Sequence, residues 1–198
     1  FTRRHLKEVL RLTRKASVVA LGPGLGLQKE TVRFVHEFVR KYSGPLIVDA
    51  DGLNALALKL SVAKKRKGET LFTPHPGEMS LLTGKTVAWI QKNRTKVAHD
   101  FAVTYRVHLL LKGYRSVFAF PDGKVWINPT GNPAMAQGGQ GDALTGIFAG
   151  LVSEFGWKRP ALLAAPYIHG LVGDRLAKKG KRTVLASDIL KNLGMGYR

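Results

Sequence analysis

Short apolar runs cut off by glycine, proline or aspartate alternate along this chain with helix-patterned stretches, and that alternation limits the fold more than any other feature. Ser17-Val18-Val19-Ala20-Leu21 stops at glycines and reads as a buried strand. Pro45-Leu46-Ile47-Val48-Asp49, Glu69 to Thr73 and Val107 to Lys112 read the same way. Between them, Val32, Val35, Val39 and Tyr42 recur at helical spacing, Asn54 to Leu60 forms a short helix, and Lys64-Lys65-Arg66-Lys67-Gly68 forms a turn. Ile90, Val97, Phe101 and Tyr105 predict one long helix. Parallel strands need crossover connections, so this order predicts an α/β domain around a mostly parallel sheet. Ser116 to Phe120 and Lys124 to Asn128 flank Pro121-Asp122-Gly123 as a hairpin, and two apolar helices around Ala143 to Phe155 and Ala161 to Ala177 close the chain.

A length of 198 residues fits one domain. With 44% hydrophobic and 23% charged residues the chain can bury a core, which argues against disorder. Its charge is lopsided: 32 Lys and Arg against 13 Asp and Glu give +19, a surface that attracts nucleic acid, acidic membrane or phosphorylated small molecules. The absence of cysteine excludes disulfides, thiol nucleophiles and Cys-type zinc sites. Every apolar segment is too short or too interrupted to cross a bilayer. Arg3, Arg4, Lys7, Arg11, Arg14 and Lys15 lie on a helix-like pattern that a transit peptide shares, although we read it as an interior helix of a longer chain.

The segment richest in chemistry is Thr130-Gly131-Asn132-Pro133-Ala134-Met135-Ala136-Gln137-Gly138-Gly139-Gln140-Gly141-Asp142. Its glycines let backbone amides approach a ligand, and a helix starting at about Asp142 adds its positive dipole end, so the pair makes a cradle for phosphate. Asp142 then has two readings. It is either a helix cap or a base beside a transferring phosphoryl group.

Three more groups end strands, where open α/β sheets bind ligands. Leu21-Gly22-Pro23-Gly24-Leu25-Gly26 lacks the dinucleotide spacing and reads as a tight turn or as a wall of exposed backbone for a flat ring. Val48-Asp49-Ala50-Asp51-Gly52-Leu53-Asn54 offers two carboxylates, with Asp51 also a candidate cap. In Thr73-Pro74-His75-Pro76-Gly77-Glu78, two prolines hold His75 and Glu78 on a stiffened loop. Leu110-Leu111-Lys112-Gly113 places a lysine where it reaches a phosphate as a point charge or stays solvated. All these groups are expected to converge on one side of the sheet.

Taken together, GPGLG, VDADGLN, TPHPGE, LKG, INPTGNPAMAQGGQGD and Tyr167-Ile168-His169-Gly170 occur in an order and spacing that resembles the ADP- or ATP-dependent NAD(P)H-hydrate dehydratases of the ribokinase-like superfamily, from Ser17 onward. The resemblance implies a central, mostly parallel sheet flanked by helices. The family's N-terminal strands have no counterpart before Phe1, so residues 1–198 read as one N-terminally incomplete domain. The implied activity is nicotinamide nucleotide repair, the dehydration of (S)-NAD(P)H hydrate by phosphorylation and phosphate elimination. Asp142 is the implied general base. Lys112, Gly113, Tyr114, Arg115, Ser116 and residues 132–141 would hold the nucleotide with Mg²⁺, while Gly26, His75, Pro76, Gly77, Glu78, Met79, Ser80, Leu81 and Asp142 would hold the hydrated dinucleotide. A homotetramer and a cytoplasmic location follow from the same resemblance, with organellar targeting left open. Family members usually carry Thr or Ser where Gln140 stands, and a longer amide there is expected to keep a hydrogen bond but to crowd the phosphate path. Two other readings are a small-alcohol kinase of the hydroxyethylthiazole type, which TPHPGE and GPGLG oppose, and a non-catalytic basic protein. The latter would contact nucleic acid through Lys64 to Lys67 and Arg175 to Arg182, runs without interleaved aromatics that fit solvated turns better.

Overall fold

The computed structural model describes residues 1–197. They gather into two compact units, one formed by Phe1–Lys112 with Val117–Trp126 and the other by Gly113–Ser116 with the chain from Ile127 onward.

The first unit opens with helix α1 (Leu6–Leu12), flanked by 3-10 turns at Arg3–His5 and Thr13–Lys15. Strand β1 (Val19–Leu21), helix α2 (Lys29–Lys41), strand β2 (Leu46–Val48), helices α3 (Asp51–Ala57) and α4 (Ser61–Lys64) and strand β3 (Thr70–Phe72) follow. Next come helices α5 (Pro76–Thr83), α6 (Val87–Lys92) and α7 (Arg94–Tyr105), then strands β4 (His108–Leu111), β5 (Val117–Ala119) and β6 (Val125–Ile127), whose last residue belongs to the second unit. The strands lie in sequence order from β1 to β6. β1 to β4 are parallel, with Val19 opposite Leu46, Leu46 opposite Thr70 and Leu71 opposite His108, whereas β5 runs antiparallel to β4 with Phe118 opposite Leu110. Four parallel strands place the loops after β1, β2, β3 and β4 at the same edge of the sheet.

Helix α2 shows how sequence fixes packing here. Thr31, Phe34, Val35, Phe38 and Val39 recur three and four apart and are all buried. Phe34, Phe38 and Tyr42 stack in succession, with ring centroids 5.9 and 5.1 Å apart. Each buried phenylalanine contributes about 2 kcal/mol of apolar transfer. The solvent side of the helix carries the pairs Glu30–Arg33 and Glu37–Arg40.

Two expectations change. The stiffened loop at His75 to Glu78 is the first turn of α5, because Pro76 occupies the first helical position, where its missing N–H costs nothing. The single long helix through Ile90 and Tyr105 is two helices, broken where Asn93 leaves helical geometry at φ −124° and ψ 29°. Apolar spacing continues across that break, so periodicity alone hides it.

In the second unit α8 (Gln140–Phe155) packs on α9 (Arg159–Lys178), followed by α10 (Ala186–Lys191), which periodicity did not reveal. Leu144, Ile147, Phe148, Leu151 and Val152 are buried on α8, as are Leu162, Ala165, Ile168 and Val172 on α9. Among the described residues, no helix is long and apolar enough to cross a membrane.

Candidate functional site

In the first unit, the loop after β1 is shaped by its neighbours on β2 and α3. Gly22 has φ +136°, and a Cβ there would overlap the carbonyl oxygen of Asp49, so no other residue fits. Gly26 donates its N–H to Asp51 Oδ2 at 2.8 Å. Asp51 therefore staples the glycine loop across 25 positions rather than capping α3, whose start shows no side-chain cap. Between the two aspartates Ala50 holds φ 48°, a strained geometry for an L-residue.

Asp49 has a different partner. It is 1% exposed, and Lys112 Nζ lies 2.6 Å from its Oδ1 and 3.9 Å from Glu78 Oε2. The lysine is anchored through its backbone as well, since its N–H donates to Pro74 O and its carbonyl accepts from Arg94. Lys112 is thus tied to two buried carboxylates, a third possibility beside the phosphate contact and the solvated lysine. Burial pushes the Arg94 guanidinium below its ordinary value.

His75 caps α5. Its Nδ1 accepts from the N–H groups of Gly77 and Glu78, and Glu78 Oε2 accepts from the His75 N–H at 2.8 Å, a reciprocal capping box. With Nδ1 an acceptor, the ring's remaining nitrogen, Nε2, lies 3.5 Å from Glu78 Oε1 on a side chain that is itself exposed. Of the other stretch residues, Leu81 is exposed, Ser80 donates to Lys85 O, and Met79 is fully buried, so only the Met79 backbone could meet a ligand.

The second unit holds the glycine-rich segment. Asn132 Oδ1 accepts from Ala134 N–H and caps a 3-10 turn at Pro133–Met135, after which Gln137, Gly138 and Gly139 are exposed. Gly139 is left-handed at φ 81° and is the cap of α8. Helix α8 begins at Gln140, two residues ahead of the expected start. Asp142 stands on its first turn, exposed and making no cap bond, so the capping alternative does not hold. Amides at the start of this 16-residue helix, with open glycine before it, suit a phosphate. Gln140 has its own role. Its Nε2 donates to Val184 O at 2.7 Å, and the Val184 N–H donates to Ala134 O, so one residue's backbone ties both ends of the cradle.

Ser116 Oγ donates to Gly113 O in the same unit, and Arg115 covers the exposed Tyr114 ring. Burial holds His169 neutral, its pKa lowered to about 4. Both basic runs considered for nucleic acid turn an arginine inward: Arg66 donates to Tyr42 O and Gly44 O, and Arg175 to Met195 O.

A family model described as NAD(P)H-hydrate dehydratase matches residues 2–194. The chain belongs to the NAD(P)H-hydrate dehydratase family. The bifunctional NAD(P)H-hydrate repair enzyme of Moorella thermoacetica is 46% identical over 192 residues, covering 96% of this chain and 36% of that protein. Among solved structures, the ADP/ATP-dependent NAD(P)H-hydrate dehydratase of Bacillus subtilis, co-crystallized with ATP and Mg²⁺, aligns at TM-score 0.80 with 36% identity over 93% of this chain and 65% of that one. A ribokinase-like superfamily protein from Enterococcus faecalis aligns at the same TM-score with 28% identity, covering 95% and 66% of the two chains. The fold is therefore ribokinase-like, and the chain spans about a third of the length of the first curated relatives it matches.

The residues expected to hold the two ligands divide by unit. Gly26 and the 75–81 stretch lie in the first, while Gly113 to Ser116, residues 132–141 and Asp142 lie in the second; of the nucleotide set, Lys112 alone falls in the first. Asp174 was missed by sequence reasoning: it accepts from Gly131 N–H and Asn132 Nδ2. The signal for it was the spacing Gly170-x-x-Gly173-Asp174, which brings a loop close to a helix.

Proposed function

We propose that this chain carries the nucleotide-dependent dehydration of (S)-NAD(P)H hydrate, repairing a damaged nicotinamide cofactor. The observation that carries the reading is the exposed, non-capping carboxylate of Asp142 on the first turn of α8, beside a glycine cradle, in a member of the dehydratase family. Asp142 accepts the proton of the ring hydroxyl as that oxygen bonds to the terminal phosphorus of ADP or ATP and the bond to the leaving nucleotide breaks. The ring C–O bond then breaks with phosphate as leaving group. A proton lost from the adjacent carbon forms the double bond of NAD(P)H.

The cradle fits the nucleotide, because it offers backbone amides to phosphate oxygens. No group of three or more metal-ligating side chains occurs among the described residues, so Mg²⁺ would be held chiefly by the nucleotide's own phosphates, where it offsets their charge. Residues 113–116 would flank the nucleotide; Gly26, His75 and the start of α5 would receive the hydrated dinucleotide. A homo-oligomer belongs to the same reading and is checked by light scattering.

The deciding experiment follows hydrated NADH with the full-length protein, Mg²⁺ and either ADP or ATP. Return of the dihydronicotinamide absorbance with stoichiometric phosphate release is expected. Turnover independent of nucleotide, or none at all, would overturn the assignment.

A further inference from the structure

Along one face of α9, the residues that receive the cradle loop follow a strict helical pattern. Asn128 Nδ2 donates to Pro166 O, and Thr130 Oγ1 to Tyr167 O. One turn further on, a Cβ at Gly170 would overlap Thr130 Oγ1, and a Cβ at Gly173 would overlap Met135 Sδ. Asp174 then accepts from Gly131 N–H at 3.0 Å through Oδ2 and from Asn132 Nδ2 at 2.8 Å through Oδ1. Positions 166, 167, 170, 173 and 174 share one side of a helix, so α9 is a bed on which residues 128–135 lie.

We propose that Asp174 is a positioning residue for nucleotide binding, fixing the entry to the cradle through its two carboxylate oxygens. The proposal rests on the reading that residues 132–141 take a nucleotide. An ionised carboxylate has acceptors on both oxygens, which is what two converging donors require. By holding Asn132 Nδ2, Asp174 also fixes which way the amide points. That leaves Asn132 Oδ1 toward Ala134 N–H, so the carboxylate orders the 3-10 turn through Asn132. Gly131, at φ +102°, sits at the start of this chain of bonds, where the backbone has the most freedom to lose. Without the carboxylate the loop samples other shapes, and the nucleotide must restore the ordered one when it binds.

Asp174→Asn keeps the shape of the side chain but turns an N–H₂ toward one of the two donors. We expect the Kd for ATP with Mg²⁺ to rise about tenfold or more, the scale of one charge-assisted hydrogen bond. The KM for nucleotide rises with it while the KM for the hydrate stays within about twofold, and Asp174→Glu, which retains both acceptors, recovers part of the loss. Without ligand, hydrogen exchange at Gly131 and Ala134 speeds up in Asp174→Asn. Wild-type affinity and exchange in Asp174→Asn would overturn the proposal, as would equal losses for nucleotide and hydrate in step with a lowered Tm. Should the Asp174 variants fail to fold, Asn132→Ser decides from the other end: its hydroxyl still caps Ala134 N–H but no longer reaches the carboxylate. Weakened nucleotide binding there supports the latch, and unchanged binding refutes it. A wild-type protein that binds no ATP would instead refute the nucleotide reading, while the exchange rates still report on the latch.

Discussion

Asp142 is exposed on a helix's first turn, whereas Asp49 is buried with an ammonium 2.6 Å away. The two aspartates therefore fail differently. Asp142→Asn is expected to slow nucleotide-dependent dehydration at least about 10²-fold, the low end of a general-base contribution, with nucleotide affinity nearly unchanged. Single-turnover kinetics and calorimetry check both halves, and a rate within a few-fold of wild type refutes the role. Lys112→Met should instead cost about 3 kcal/mol of folding stability, because it leaves a buried carboxylate without its ammonium. Pairing it with Asp49→Leu should return much of that loss in urea melts; additive losses would show that the pair is uncoupled. His169 gives the molecule a pH dependence. Its folded-state pKa, lowered to about 4 by burial, lies below the unfolded value near 6.5, so the unfolded chain binds the proton first. Stability is full above about pH 6.5 and falls by about 3 kcal/mol as pH drops to about 4. Glu37, Asp100 and Asp188 are also held below their ordinary values, so their losses fall mainly at lower pH. Denaturant melts across that window should show a slope that His169→Gln removes.

Helix α5 joins a structural role to an expected binding role in one side chain. His75→Asn should leave stability within about 0.5 kcal/mol, since asparagine caps as well, yet raise the KM for the hydrate if the imidazole meets it. A fall in Tm with unchanged KM would assign His75 to capping alone. The parallel strands were legible because each is a short β-branched or leucine-rich run stopped by glycine, proline or aspartate. So was the glycine-rich loop ahead of α8, which no ordinary helix or strand tolerates. What escaped was set by tertiary partners. Asp49 meets Lys112 across 63 positions and Gly131 meets Asp174 across 43, distances over which no local spacing speaks. The start of α5 was misread because two prolines signal a loop until one is seen at the first helical position. Asn93 ends one helix and begins the next without interrupting the apolar period.

Across the whole molecule, a charge of +19 works against compaction. Raising NaCl from about 20 to about 200 mM should therefore raise the Tm, because screening shortens the reach of that repulsion more than it weakens the few exposed pairs. A Tm that falls with salt would mean that attractive pairs dominate. The inward-turned Arg66 carries a consequence for proteolysis. Lys64, Lys65 and Lys67 are exposed around it, whereas the Arg66 side chain is spent on the carbonyls of Tyr42 and Gly44. Trypsin must draw the basic side chain into its own pocket, so brief digestion of the folded protein should release peptides ending at the three lysines. Peptides ending at Arg66 should accumulate only once denaturant has freed it.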